Sequence, residues 1–308
     1  MTADPPFGDD VLRELQFALA EADAEAPGPE LLARVRAAAL SARSAGRPSV
    51  AVESLSGLET FRRATVALDA LLSDLDPSAW TRLALRGLDV QGLVGHLIGV
   101  ESAFVASLDG DVEAGVAEHV ASTQADALAQ AGRPTVETLA EWRTAVARSI
   151  ERAGALAAAG SVTYYGITLP LDDLLVVRAF ELWIHEEDIR RATGLGLGPP
   201  DAGRLARMTS LAMTLLPAGV ASIDRARQGE SIRLVLTGAG GGTWDVALGG
   251  DGGAGPRPRP GARVVVDAAA FCRVVGNRAD LESAGALVTG DVAMAADVFA
   301  GAAALALD

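Results

Sequence analysis

The sequence predicts a mainly α-helical protein: a helix bundle, preceded by a helical extension and followed by a small α+β domain. Three observations lead there. From about residue 57 to 216, apolar residues recur with helical period in runs longer than ten residues. After Ala226 the pattern changes to alternation, with Gly-rich breaks between short apolar runs. Before the bundle, Pro27-Gly-Pro29 and Gly46-Arg-Pro48 fence off two shorter amphipathic segments. The expected divisions are an extension at 1–50, a bundle at 56–222 and an α+β domain at 228–308.

Residues 1–8 are a Pro-rich start that reads as mobile. Val11, Leu12, Leu15 and Leu19 have helical spacing behind the cap candidates Asp9 and Asp10, and Leu31, Leu32, Val35, Ala38 and Ala39 make a second short stripe. This arm packs on the main domain, or residues 9–45 dock a protein partner. Phe61, Ala64, Leu68, Leu71 and Leu72 give the buried face of a helix over 57–74. Asp89 is a good N-cap for the next helix, which is apolar nearly all round to Phe104 and holds His96 at its middle. Residues 109–134 read as irregular, and a long helix follows from Thr135 to about Ala158. The β-branched and aromatic stretch 161–170 is extended, with Thr168 as cap candidate for the helix that runs to Thr193 and stops at Gly194. A helix over 201–216 completes the bundle. Beyond it come a hairpin over 232–248, a mobile Gly/Pro-rich stretch at 249–261, a strand at 263–267, a short helix at 268–278 and a last helix capped by Asp291.

Composition removes whole classes of function. The net charge is −14, and phosphate-backbone binding needs a basic footprint, so nucleic acid is not expected. All 26 basic residues are arginine, which excludes Schiff-base and Walker-type lysine chemistry; with the abundant Ala and Gly it suggests a GC-rich, actinobacterial genome. The single cysteine, Cys272, rules out an internal disulfide framework and fits a reducing compartment. No signal peptide or uncharged run of bilayer length stands out, so a soluble cytoplasmic protein without membrane contact is expected.

The chemistry concentrates on Arg178–Gly194. Glu181 and His185 are four residues apart, which on a helix puts them on one face with Cβ atoms about 5–6 Å apart. Such a pair can chelate one metal ion. Of the other histidines, His96 sits in a central apolar helix, where it needs a partner to offset its burial, and His119 lies in the irregular region. Two histidines, one carboxylate and an open position make a catalytic zinc pattern, although imidazole and carboxylate suit other divalent ions too. The pair also arises by chance, and a buried histidine can simply be hydrogen-bonded. Asp188 can orient a ligand, act as a base, or lie exposed late in the helix. Arg178 can pair with Glu181 or reach a substrate carboxylate. Glu186 and Glu187 read as a solvated face, with Arg190 or Arg191 paired to Glu187. Glu101, five residues from His96, points away from a shared site. Tyr164 and Tyr165 wall a pocket or pack in the core.

Three pieces of sequence carry a resemblance: Trp80 followed by Leu88-Asp-Val-Gln-Gly-Leu-Val-Gly-His-Leu-Ile-Gly-Val-Glu101, then Tyr165-Gly-Ile-Thr-Leu-Pro-Leu171, then Arg178-Ala-Phe-Glu-Leu-Trp-Ile-His-Glu-Glu-Asp-Ile189. Over about 56–220 the chain resembles the mycothiol-dependent maleylpyruvate isomerase family, a branch of the DinB-like four-helix metalloproteins. The resemblance implies a divalent metal, zinc first, on His96, Glu181 and His185, and a C-terminal domain of sterol-carrier-like type. It also implies mycothiol as cosubstrate. The site itself offers no nucleophilic cysteine, and Cys272 lies in the other domain. A thiol entering the open position would be deprotonated by the metal. Its attack on a small electrophile gives either a conjugate or, after rotation and thiol loss, a cis–trans isomer. Metal-assisted hydrolysis with Asp188 as base, and a non-catalytic metal-stabilised module using the N-terminal helices, are the competing readings.

Overall fold

The computed structural model describes residues 51–110, 116–156, 160–225, 227–249 and 259–306, together with Glu30, Arg34, Val35 and Ala39. Met1–Ala42 and Arg43–Asp308 form two compact units. In the first unit the four described residues are helical and exposed. The other expectations for 1–50, including the partner-binding stretch 9–45, lie outside the described residues, as do residues 250–258 of the Gly/Pro-rich segment.

In the second unit, helix α1 (Gly57–Asp74) begins where the Ser56 hydroxyl accepts from the Glu59 N–H at 3.1 Å. It buries the expected stripe, Phe61, Ala64, Leu68, Leu71 and Leu72. Beyond a 3-10 turn at Pro77–Ala79, strands β1 (Leu83–Leu85) and β2 (Leu88–Asp89) make a small antiparallel hairpin that the sequence pattern did not suggest. Arg86 and Gly87 turn it with φ of 49° and 82°, the left-handed pair that tight hairpins favour. Asp89 then caps α2 (Val90–Leu108), accepting from the Gly92 N–H at 2.7 Å. This helix is long and apolar enough to span a bilayer, but 78% of its apolar window is buried inside the protein.

The region expected to be irregular holds α3 (Val116–Ala129), which lies against α2. Two glycines permit the approach: a Cβ on Gly95 would lie 2.9 Å from the Asp126 carbonyl oxygen, and one on Gly99 2.3 Å from the Asp126 carboxylate. Helix α4 (Thr135–Ala155) follows. A buried amide–hydroxyl chain joins these helices: Gln91 Nε2 donates to Thr138 Oγ1, which donates to Gln130 Oε1, each at 2.9 Å.

Strands β3 (Ser161–Tyr164) and β4 (Ile167–Pro170) form a second hairpin, turned by Tyr165 and Gly166 at φ 46° and 78°. Thr168 is therefore a strand residue, its hydroxyl 2.9 Å from that of Thr163, and not the expected helix cap. Helix α5 (Leu171–Thr193) starts directly after Pro170 and ends on Gly194, left-handed at φ 73°. Helices α1, α2, α4 and α5 enclose a core that includes Phe61, Leu68, Leu93, Leu97, Phe104, Trp142, Leu174 and Leu182.

Helix α6 (Ala202–Ser222), capped by Asp201, behaves differently from the expected last member of the bundle. Its apolar side chains Leu205, Met208, Leu211, Leu216 and Val220 enter a second core, shared with the C-terminal sheet. That sheet has the order β6–β5–β7–β8, from β5 (Ser231–Thr237), β6 (Thr243–Ala247), β7 (Ala262–Asp267) and β8 (Leu287–Gly290). β5 and β7 run parallel, and the other neighbours are antiparallel. Helices α7 (Ala268–Val275) and α8 (Val292–Ala303) complete it, the latter capped by Asp291 as expected. Val176, Trp183 and Ile184 of α5 also belong to this second core, so packing is continuous across the division expected at 222–228. Gly276 permits a close approach, since a Cβ there would lie 2.3 Å from Ile184 Cδ1. The result is a mainly α architecture with a small mixed sheet at its C-terminal end, whose helix α7 packs beside α5.

Candidate metal centre

Helix α5 presents Glu181 and His185 one turn apart, and α2 brings His96 to the same point. His96 Nε2 lies 3.8 Å from Glu181 Oε1, and the two imidazole rings are 5.4 Å apart between centroids and nearly perpendicular. One ligand atom from each of the three residues falls within 4.8 Å of the other two. Among the described residues no other group of three or more histidine, cysteine or carboxylate side chains converges in this way. His119 falls on α3, and its side chain lies outside the described residues.

Each ligand candidate on α5 is held from behind. Arg178, fully buried, donates through Nη1 to Glu181 Oε2 and through Nη2 to Glu101 Oε1 at 2.6 Å. Burial alone would raise the Glu181 carboxyl, but Arg178 and then the His96 hydrogen bond hold it well below the usual carboxylate range. Burial pulls the Arg178 guanidinium down, and the two carboxylates outweigh it and push it above its ordinary value. Glu101 is thus tied to the site through Arg178, which the five-residue offset from His96 had hidden. It touches no ligand atom of the cluster directly.

His185 Nδ1 lies 3.3 Å from Asp188 Oδ2. Asp188 in turn accepts from Arg278 Nη2 at 2.8 Å and Nε at 3.0 Å, and from Arg191 Nη1 at 3.2 Å. Burial opposes ionisation of this carboxyl, yet the hydrogen bonds from His185 and Arg278 bring its pKa down to about 2. Asp188 is buried at 4% exposure, so the exposed placement does not hold. Neither does the solvated face: Glu186 and Glu187 are 8% and 1% exposed. Glu187 accepts from Arg191, as anticipated, but also from Arg273 at 2.6 Å, while Glu186 pairs with Arg190. Nothing in the spacing of Arg273 and Arg278 connects them to 187 and 188; only the fold of the C-terminal region does.

The remaining ring nitrogen, His185 Nε2, is buried and has no hydrogen-bond partner among the described residues. An imidazole fixed by a carboxylate on one nitrogen and bare on the other is the state in which histidine ligates metals. Two imidazoles and a carboxylate also suit a divalent ion. The residues present fit such a group.

Beside the cluster lies a pocket of about 690 Å³, its open mouth included, between α5, α6 and the C-terminal region. Glu181 and His185 stand on its wall among Val177, Phe180, Leu211, Leu215 and Val275. Tyr164 and Tyr165 do not line it; both are buried, 4.2 Å apart between ring centroids, in the core of the bundle. Cys272 is buried in the second core, where burial pushes its thiol far up, consistent with an inert packing residue.

Fold and site define a helix-bundle protein in which two histidines and one carboxylate meet between the second and fifth helices of the described chain. Residues 61–190 match the family model described as the mycothiol maleylpyruvate isomerase N-terminal domain, a stretch that spans most of the bundle. The matched stretch includes His96, Glu101, Arg178, Glu181, His185 and Asp188. Two solved structures resemble the chain more widely: the mycothiol-dependent maleylpyruvate isomerase, with a TM-score of 0.52, and its histidine-to-alanine mutant, with 0.51. Each is 18% identical, and the alignments cover 77% of this chain and 93% of those. At that identity the likeness establishes the fold. A search of curated protein sequences finds no match.

Proposed function

We propose that the protein is a divalent-metal enzyme, zinc being the first candidate, that uses a low-molecular-weight thiol of the mycothiol kind on a small electrophile. The observation that carries this reading is the convergence of His96, Glu181 and His185 beside an apolar pocket, with His185 Nε2 buried and unpartnered among the described residues. The family match supports the thiol, since the matched family is named for mycothiol. Cytoplasmic placement belongs to the same reading.

His96, Glu181 and His185 would hold the ion. When bound, a divalent ion supplies positive charge that favours the thiolate form of an entering thiol. The chain's own residues then divide the work. Asp188 keeps His185 Nε2 aimed at the cluster by holding Nδ1. Arg178 keeps Glu181 ionised and fixed, and Glu101 balances the charge of Arg178. Both Arg178 and Asp188, the catalytic candidates of the sequence, are in this reading positioning residues, because their charged groups are already spent on neighbours. The apolar walls exclude water from the thiol and the electrophile. In the reaction the sulfur–carbon bond forms as the alkene π bond opens, and the thiol proton ends on the adjacent carbon. Expulsion of the thiol after rotation restores the alkene as its isomer, and retention of the thiol gives the S-conjugate. Hydrolysis with Asp188 as base is less favoured, since a carboxylate with a pKa near 2 and three cationic or imidazole partners is a weak proton acceptor.

Elemental analysis of the purified chain tests the ligand set, with one divalent ion per chain expected and lost in His185→Ala and His96→Ala. Turnover of a thiol and an activated alkene, abolished by chelation and restored by metal, tests the chemistry. Metal content indifferent to both substitutions would rule the reading out.

A further inference from the structure

The pocket beside the cluster has a charge pattern that narrows the substrate. Its walls are aliphatic and aromatic, from α5 (Val177, Phe180, Ile184), α6 (Leu211, Leu215) and the end of α7 (Val275), and the polar groups among its lining residues are the side chains of Glu181 and His185. Arginines are plentiful on these three helices, yet each is committed to a carboxylate. Arg178 pairs with Glu101 and Glu181, Arg190 with Glu186, and Arg191 with Glu187 and Asp188. On α6, Arg204 pairs with Asp201 and Arg207 with Asp172; Arg273 of α7 pairs with Glu187, and Arg278 beyond it with Asp188. No uncommitted cation therefore stands on the three helices that wall the pocket.

Charge counting inside the site gives the same answer. Arg178 and Glu101 cancel. A divalent ion less the Glu181 carboxylate leaves one positive charge, which an ionised thiol consumes. A carboxylate carried by the electrophile would then enter an apolar enclosure where no described residue offers an uncommitted cation, and burying an unpaired anion is costly.

We propose that this pocket takes the uncharged, apolar body of the electrophile and discriminates against electrophiles that carry a carboxylate. This rests on the thiol-transfer reading for its chemistry but not for its recognition, which is a property of the walls. The C-terminal region is thereby a specificity element: Val275 closes one side of the pocket, and the tight seat of Gly276 on Ile184 holds that wall against α5.

The test uses the full chain and a matched pair of aryl enones, one uncharged and one bearing a ring carboxylate, in two arms. In the first, a neutral solvatochromic dye is bound to the metal-free protein without thiol and displaced by each enone. The uncharged member is expected to displace it at concentrations roughly tenfold or more below its carboxylate analogue. In the second, kcat/KM is measured for both with thiol and divalent metal. Leu215→Arg, a half-buried position on the wall that holds no ligand, places an uncommitted cation there and should shift both ratios toward the carboxylate analogue. Equal or preferential displacement by the carboxylate analogue overturns the proposal. So do displacement ratios unmoved by Leu215→Arg in a variant whose melting temperature matches the parent. Selective displacement without turnover upholds the pocket assignment and removes the thiol-transfer reading instead.

Discussion

Helix α5 carries two groups of buried ion pairs, and they are built differently. The inner group, Glu101–Arg178–Glu181, joins α2 to α5, with Arg178 and Glu101 at 0% exposure and Glu181 at 19% on the pocket wall. The outer group, Glu187–Arg273 and Asp188–Arg278, joins α5 to the C-terminal region, and its arginines keep 23% and 11% of their side-chain surface in solvent. Each group braces one ligand candidate: the inner one Glu181, the outer one His185. The inner brace can only be made as the bundle closes. The outer brace needs the C-terminal region seated against α5, where Arg273 and Arg278 reach Glu187 and Asp188.

The largest expected effect breaks the inner group. Arg178→Met leaves Glu101 and Glu181 buried without their cation, and removal of one partner of a buried pair costs about 3–5 kcal/mol. Urea denaturation should show that loss as a lower midpoint with an unchanged slope. The double variant Arg178→Met with Glu101→Leu should recover part of it, because the buried anion is removed along with the cation. A single variant as stable as the parent would mean that Arg178 is not the enclosed charge described above.

Next in size is the outer group. Arg278→Gln leaves Asp188 with His185 and Arg191 as partners, and loss of such an outer support typically weakens metal binding about 10–100-fold. Competition with a chromogenic chelator measures this, and the fold should survive, since Arg278 is partly exposed. Asp188→Asn should weaken binding by a similar factor, and combining the two should add little if they act on His185 through one contact. The pH dependence has a definite sign. Asp188 titrates at about 2 in the fold against 3.8 ordinarily, so its stabilising contribution is present above pH 4 and is lost as pH falls toward 2. Thermal melts of the metal-free chain should fall over that window, and less steeply in Arg278→Gln.

How much of this was readable beforehand follows from where each partner sits in the chain. The i,i+4 pair Glu181/His185 is local, and a helix was clear from its cap, length and Gly194 stop. His96 was legible because a histidine in an otherwise apolar helix needs a partner. Glu186 and Glu187 read as a solvated face, and Asp188 stays open between orienting a ligand and lying exposed, because acidic residues followed closely by Arg190 and Arg191 look like an exposed charged face, while Arg273 and Arg278, which reach Glu187 and Asp188, stand 86 and 90 residues downstream. Glu101 was set aside for the same reason, its partner being 77 residues away. The small hairpins at 83–89 and 161–170 escaped notice because Arg86-Gly87 and Tyr165-Gly166 are weaker turn signals than Asn-Gly, though both first residues adopt positive φ. Helix α6 reads as a bundle member by sequence order; its apolar face packs both on α5 and on the C-terminal elements that follow it.

The smallest effect sharpens the contrast by removing burial while keeping the chemistry. Arg143 grips Asp69 with two hydrogen bonds, at 2.6 and 3.2 Å, joining α4 to α1 as Arg278 joins the C-terminal region to α5. The geometry is as good as in the outer group, but the side chains are 49% and 37% exposed. Exposed pairs contribute about 0–1 kcal/mol, because water screens the attraction and both side chains lose freedom to make it. Arg143→Ala should therefore shift the denaturation midpoint barely at all, and the shift should shrink further in high salt. If Arg143→Ala cost as much as Arg178→Met, burial would not be what separates these pairs, and the inner group would lose its standing as the brace that fixes Glu181.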